Sequence, residues 1–235
     1  MEVVYEDNHI IIVNKRPGEI VQGDKTGDRP LSEIVKDWIK EAHGKPGNVF
    51  LGVVHRLDRP VWGLVVFAKT SKALSRLNEM FREGRVKKTY WALTRNQPPK
   101  NEDRLVNHIT TVERTNKSYV WDEPRKGSKE AALSYRLIGQ SDHYSLLEVH
   151  LETGRKHQIR VQLSKIGCPI RGDLKYGDRR SNPDGSISLQ AHSIEFVHPV
   201  SQKLISVTAP LPDDPLWQAF SDLEPQTSTD NGTDS

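Results

Sequence analysis

Helical and strand periodicities follow one another along this chain without regular alternation, and that order constrains its fold more than any single motif. Glu2 to Asp7 and His9 to Lys15 read as two short strands, the second stopped by Arg16-Pro17-Gly18. The spacing then changes. Leu31, Ile34, Val35, Trp38 and Ile39 form the apolar stripe of a helix that Asp28 and Pro30 start and His43-Gly44-Lys45-Pro46-Gly47 closes. Phe50 to Val54 and Leu64 to Lys69 read as two buried strands around the irregular stretch His55 to Gly63. Thr70 caps a second helix carrying Leu74, Leu77 and Phe81, which ends at Gly84. Lys88 to Thr94, Leu133 to Ile138 and Leu146 to Glu152 alternate as strands. Ile159, Leu163 and Ile166 then mark a short helix from about His157 to Gly167, and Ile187 to Val197 and Leu204 to Thr208 supply two more strands. A doubly wound parallel sheet needs strand and helix in turn, so the order predicts an α+β fold with a mixed, mostly antiparallel sheet flanked by helices and loops.

At 235 residues, with 35% apolar and 28% charged, the chain suits one compact domain. No repeat or linker divides it. The domain is placed at residues 1–212, and 213–235 form an acidic, polar tail whose end, Gln226 to Ser235, is expected to be disordered. The longest apolar stretches, Ile10 to Val13 and Leu64 to Ala68, fall far short of the ~20 residues of a membrane helix. The acidic start at Met1-Glu2 lacks the basic and apolar regions of a signal peptide, so a cytoplasmic protein is expected. The single cysteine, Cys168, excludes an internal disulfide and dithiol redox chemistry.

The net charge of +3 conceals an asymmetry. All 34 basic residues lie at or before Lys203, whereas six of the 31 acidic ones follow it, so residues 1–203 carry an excess of nine positive charges. That excess favours a polyanionic partner such as RNA or DNA.

Three segments could carry chemistry. In His55-Arg56-Leu57-Asp58-Arg59-Pro60 an acid lies between two arginines on a turn joining buried strands; guanidinium groups favour the charged carboxylate, which can act as nucleophile or base. A surface loop with a local salt bridge or Asx turn has the same spacing. In Gly154-Arg155-Lys156-His157-Gln158-Ile159-Arg160, basic and amide side chains start a helix whose N-terminus adds positive potential. Arg160 is a candidate counter-ion for Asp58, while Arg155 and Lys156 precede the helix and could meet phosphates. Lys87-Lys88-Thr89-Tyr90-Trp91-Ala92 interleaves basic and aromatic residues, with Tyr90 and Ala92 on one face and Thr89 and Trp91 on the other. Tyr90 could stack on a base or fill the core.

Together these segments resemble the RluA family of pseudouridine synthases. His55 to Lys69 looks like its HRLDxxTSG signature followed by an apolar strand and Ala-Lys, Lys88-Thr89-Tyr90 like its Lys-x-Tyr motif, and Gly154 to Gln162 like GRxHQIRVH. Asn14-Lys15-Arg16-Pro17-Gly18, Gly167 to Asp173, Tyr176-Gly177 and Phe196-Val197-His198-Pro199 extend the likeness from about Tyr5 to Pro210 in the family's own order. The resemblance implies a cofactor-free, metal-free isomerase, by default a monomer, that converts uridines of structured ribosomal or transfer RNA to pseudouridine. It implies Asp58 as catalytic aspartate, Tyr90 as the tyrosine packed on the uracil, and Arg160 as the partner of Asp58. Arg56 would fill the stack left by the flipped nucleotide, Leu57 and Leu189 would line the pocket, and Arg59, Arg155, Lys156, His157 and Gln158 would meet the RNA.

Three departures stand out: Val61-Trp62 replaces Thr-Ser, Gln162 replaces His in the helix motif, and Gln190 stands where many relatives have His. The small RNA-binding module that precedes many relatives is expected to be missing here. Three other readings compete. A non-catalytic RNA-binding module would need no counter-ion-paired carboxylate. A glycoside hydrolase would pair Asp58 with Glu148 or Glu152. A zinc site at His150 and His157, or at His192 and His198, has no CxxC or HExxH partner.

Overall fold

The computed structural model describes residues 1–44 and 46–223. Eleven strands form one sheet: β1 (Glu2–Glu6), β2 (Ile10–Lys15), β3 (Gly52–Val53), β4 (Trp62–Ala68), β5 (Lys87–Thr94), β6 (Glu102–Val112), β7 (Lys117–Trp121), β8 (Lys129–Gln140), β9 (Ser145–Leu151), β10 (Leu189–Val197) and β11 (Leu204–Thr208). Among the described residues four α-helices accompany them: α1 (Leu31–Ala42), α2 (Ser71–Arg82), α3 (Gln158–Lys165) and α4 (Pro215–Gln218). The main strand order is β1-β2-β4-β10-β5-β9-β8-β6-β7, with β3 on β4 and β11 on β10. Every pairing is antiparallel except β4 with β10. The mixed, mostly antiparallel sheet expected from the order of elements is what forms.

That parallel contact is short, only Trp62 with Gln190 and Gly63 with Ala191. From Ser193 onward β10 takes β11 as its partner instead. The sheet therefore forks at the foot of β4, where the Asp58 loop ends. Gly63 makes the fork possible: at φ +111° it occupies backbone space that favours glycine, and a Cβ there would lie 2.7 Å from the Ala191 nitrogen.

The apolar patterns divide the core. Ile11, Val13, Val65 and Phe67 face α1 through Leu31, Val35 and Ile39, while Ile10, Ile12, Leu64 and Val66 face α2 through Ala73, Leu77 and Met80. Thr70 caps α2 as expected, its Oγ1 accepting from the Ala73 N–H at 3.2 Å. Tyr90, Ala92, Leu133, Leu147 and Val149 form another face with Ile159 and Leu163 of α3.

Four expectations change. Asp28 does not start α1; Pro30 holds the boundary without a side-chain cap, and Asp28 binds Arg59 at 2.6 Å. Phe50 to Val54 is not a buried strand, since pairing is confined to Gly52–Val53 and Phe50 is 47% exposed. The strands β6 and β7 lie in a stretch too polar on both faces to alternate clearly. Finally, the fold does not end at residue 212: Trp217 and Phe220 are buried against Trp91, Leu93 and Leu146. The expected disorder of Gln226 to Ser235 lies outside the described residues. Among the described residues no helix is long and apolar enough to cross a membrane.

Candidate active site

The loop from Asp58 to Val61 has no regular structure of its own, so its shape depends on where its carbonyls bond. The Asp58 carbonyl accepts from the Val61 N–H at 3.0 Å, the Arg59 carbonyl from Gly18 at 2.9 Å, and the Pro60 carbonyl from Ile187 at 3.0 Å. The Lys15 ammonium completes the set, donating to the carbonyls of Arg16 (2.9 Å), Arg59 (3.0 Å) and Val61 (2.8 Å). Lys15 is fully buried. Burial pulls its pKa down to about 8, against the opposing pull of Glu19 and Asp58. A lysine at the end of an apolar strand thus serves as an internal clamp on the loop.

Asp58 meets the partner expected from the sequence. Arg160 Nη1 donates to Asp58 Oδ2 at 2.9 Å across 102 residues of sequence. Asp173 holds the guanidinium from behind, accepting from Nε at 2.7 Å and from Nη2 at 2.9 Å. Burial disfavours the guanidinium charge, but the hydrogen bonds and charge of Asp173, joined by Asp58, outweigh it and raise the Arg160 pKa. His157 Nε2 also approaches Asp58 Oδ2, at 3.7 Å. The Asp58 side chain keeps 30% of its surface exposed, so this end of the pair opens to solvent.

Tyr90 is 7% exposed and belongs to the apolar cluster that contains Val61, Ile159 and Leu189, with Leu57 packed against it. Burial, with the nearby Asp58 charge, raises its phenol pKa and keeps it a neutral hydroxyl. The site is thus an apolar cluster that carries the Tyr90 ring beside an ion-paired, partly exposed carboxylate. Such a site can hold a planar, uncharged ring beside a group able to attack or deprotonate a sugar.

The other expected contacts separate. Arg59 turns away from Asp58: it binds Asp28 at 2.6 Å and Thr26 at 3.0 Å. Arg56 is exposed and has no ion pair among the described residues. Lys156 is exposed and pairs with Glu113 at 3.2 Å, and Arg155 Nε reaches the Glu130 carbonyl at 2.8 Å. His157 and Gln158, expected to meet RNA, are 7% and 3% exposed. Gln158 spends its amide inside the fold, accepting from Thr153 and the Arg155 N–H and donating to the Ala132 carbonyl.

Of the departures, Val61 joins the apolar wall and Gln162 ties α3 to the carbonyls of Leu105 and Ala131. Gln190 lies behind the sheet, bonded to the Pro210 carbonyl at 2.7 Å. Glu148 alternates to the face opposite Val149 and pairs with Arg136, and Glu152 pairs with Arg104, so neither is matched with Asp58. Sequence reasoning assigned no role to Lys15, Asp173 or Tyr176. A lysine inside an apolar strand was the one available signal.

A model of the RNA pseudouridylate synthase family matches residues 9–165. An uncharacterised RNA pseudouridine synthase of Synechocystis is 34% identical over 90% of this chain and 66% of its own. The ribosomal large subunit pseudouridine synthase C of Vibrio cholerae is 32% identical over 89% and 65%. The chain thus spans somewhat less than two thirds of their length. A tRNA pseudouridine synthase C of Vibrio parahaemolyticus is 29% identical over 95% of both chains. Among solved structures, human RNA pseudouridylate synthase domain containing 4 superposes with a TM-score of 0.75 at 24% identity, covering 90% of this chain and 89% of that one, a likeness of fold.

Proposed function

The chain belongs to the RNA pseudouridylate synthase family, in its RluA branch, and we propose that it isomerises uridine to pseudouridine in a structured loop of ribosomal or transfer RNA. The observation that carries this reading is the Asp58–Arg160 contact beside Tyr90 and the apolar cluster that holds it. A binding module gains nothing from a carboxylate ion-paired beside an aromatic ring. The reaction breaks the bond from ribose C1′ to uracil N1, turns the free base, and joins C5 to C1′. The C5 proton is lost and N1 gains one, so no redox step or cofactor enters.

In this scheme the Asp58 carboxylate attacks C1′ or removes the C2′ proton, and either role suits an oxygen facing the opening. Tyr90 and Leu189 hold the detached uracil. A uridine within a stem must first leave the stack, at a cost of a few kcal/mol, and Arg56, which is exposed, would fill the gap. Arg155 and Lys156 suit phosphate contacts, whose strength falls with salt. The same reading makes the protein a monomer of the cytoplasm, in keeping with its single buried cysteine.

The test is purified protein with ribosomal and transfer RNA transcripts carrying tritium at uracil C5, read as tritium release and as mapped pseudouridine. Asp58→Asn is expected to abolish release while RNA binding persists. Absence of pseudouridine in every RNA tried would refute the proposal.

A further inference from the structure

His157 is an N-cap residue that caps nothing. It starts α3 at φ 55° and ψ 23°, left-handed space uncommon for a residue with a Cβ, and its ring makes no bond to the helix it begins. The ring turns instead between two groups. Its Nδ1 lies 2.7 Å from the Tyr176 hydroxyl, and its Nε2 lies 3.7 Å from Asp58 Oδ2. The Tyr176 hydroxyl already accepts from the Ser118 N–H at 2.8 Å. Its own proton has no acceptor but Nδ1 among the described residues, which makes Nδ1 the acceptor of this pair. The proton of a neutral imidazole is left on Nε2, the nitrogen that faces Asp58.

The ring is 7% exposed and stands among the cations Arg160, Lys156 and Lys175, with Asp58 as the opposing charge. Burial leads in lowering its pKa to about 4, so the neutral form prevails at pH 7. Arg160 Nη1 approaches the same carboxylate oxygen, Oδ2. Oδ1 has no hydrogen-bond partner among the described residues and is the oxygen left for substrate.

We infer that His157 is a positioning residue for Asp58: Tyr176 fixes its Nε2–H tautomer, and with Arg160 it holds Oδ2 so that Oδ1 alone faces the ribose. The inference rests on the isomerase reading given above. At 3.7 Å the contact is longer than a hydrogen bond, and it closes when a bound nucleotide displaces water from the pocket, as catalytic contacts commonly do.

Two substitutions separate this role from a purely structural one. Asparagine tolerates left-handed backbone better than glutamine, but only the glutamine amide reaches the position of Nε2. If side-chain reach matters, His157→Gln keeps kcat within about threefold of wild type, while His157→Asn loses about tenfold or more with KM for RNA unchanged. Tyr176→Phe leaves His157 in place but frees its tautomer, and also lowers kcat with KM constant. The reverse order, Asn active and Gln impaired, would show that backbone conformation is what counts and would overturn the inference. So would a rise in KM alone, the mark of an RNA contact. Independently of turnover, imidazole nitrogen NMR shifts at pH 7 should report a neutral Nε2–H ring, and an Nδ1–H tautomer or a charged ring would be decisive against it. A wild-type chain that forms no pseudouridine would remove the isomerase reading itself, whereas active wild type with unaffected variants would remove only the role of His157.

Discussion

Replacing Asp173 with asparagine tests whether the reactive end of Arg160 is fixed from behind. Asp173 is 1% exposed and takes the Nε and Nη2 protons at 2.7 and 2.9 Å, which leaves Nη1 for Asp58. Asparagine keeps the shape, but its NH2 group opposes one of the two guanidinium N–H groups, so one bond becomes a donor–donor contact. The buried guanidinium also loses one of its two countercharges. Removing one partner of a buried pair costs about 3–5 kcal/mol. One bond survives and Asp58 remains, which places the expected loss near the lower end, about 3 kcal/mol. For a chain of this size that lowers the melting temperature by about 6–12 °C. Because Nη1 is then free to swing, kcat falls by about 10–100-fold, while RNA affinity holds since Asp173 lies away from the surface. Thermal unfolding and tritium release measure the two effects. A variant that melts within about 2 °C of wild type, or whose defect lies wholly in KM, would refute the claim that Asp173 fixes the guanidinium. Replacing both partners with apolar residues, Arg160→Met with Asp173→Leu, should regain most of the lost stability while remaining inactive.

Gly63→Ala drives a Cβ into the Ala191 backbone at the fork of the sheet and keeps an unfavourable positive φ; a loss of about 3 kcal/mol or more in urea unfolding is expected, and a loss below about 1 would contradict the close approach. Trp217→Ala empties the cluster behind Trp91 and Leu146 at a cost of about 3–5 kcal/mol, and truncation after Pro212 should destabilise at least as much. His157 and His192 are buried, chiefly by desolvation hold pKa values of about 4, and in the unfolded chain protonate near pH 6.5. The unfolded chain therefore binds more protons between those values, so stability rises with pH there, and acidification from pH 6.5 to 5 costs about 1.5 kcal/mol for each ring. Desolvation pushes His55 down likewise, to about 3, so the three rings share the effect; urea midpoints at the two pH values check this, and His192→Gln should remove about a third of the difference.

What could be read from sequence were features expressed over a few residues. The spacing from Leu31 to Ile39 showed α1, Thr70 showed the start of α2, and the alternation at Tyr90 showed that ring's inward face. The Asp58–Arg160 pair was legible as well, although only through resemblance, because no local rule links positions 102 residues apart. Residues near one another in sequence misled where geometry decides. Arg59 adjoins Asp58 in the chain, yet the pinning of its carbonyl by Gly18 and Lys15 sends its side chain to Asp28. Polar residues before α3 looked like an RNA surface, but the left-handed turn at His157 carries it and Gln158 inward. Along β6, His108 and Thr110 interrupt the apolar residues on one face and Asn107 and Thr111 those on the other, so its eleven-residue length left no periodic trace.

The pinned carbonyls of the Asp58 loop bear on when the protein can act during its own synthesis. Its clamps come from Lys15 and Gly18 at one extreme and from Ile187 at the other. A nascent chain that has exposed Asp58 and its neighbours therefore displays a carboxylate without a frame. On the isomerase reading proposed above, a chain not yet extended to Ile187 lacks the framed carboxylate that the reaction needs.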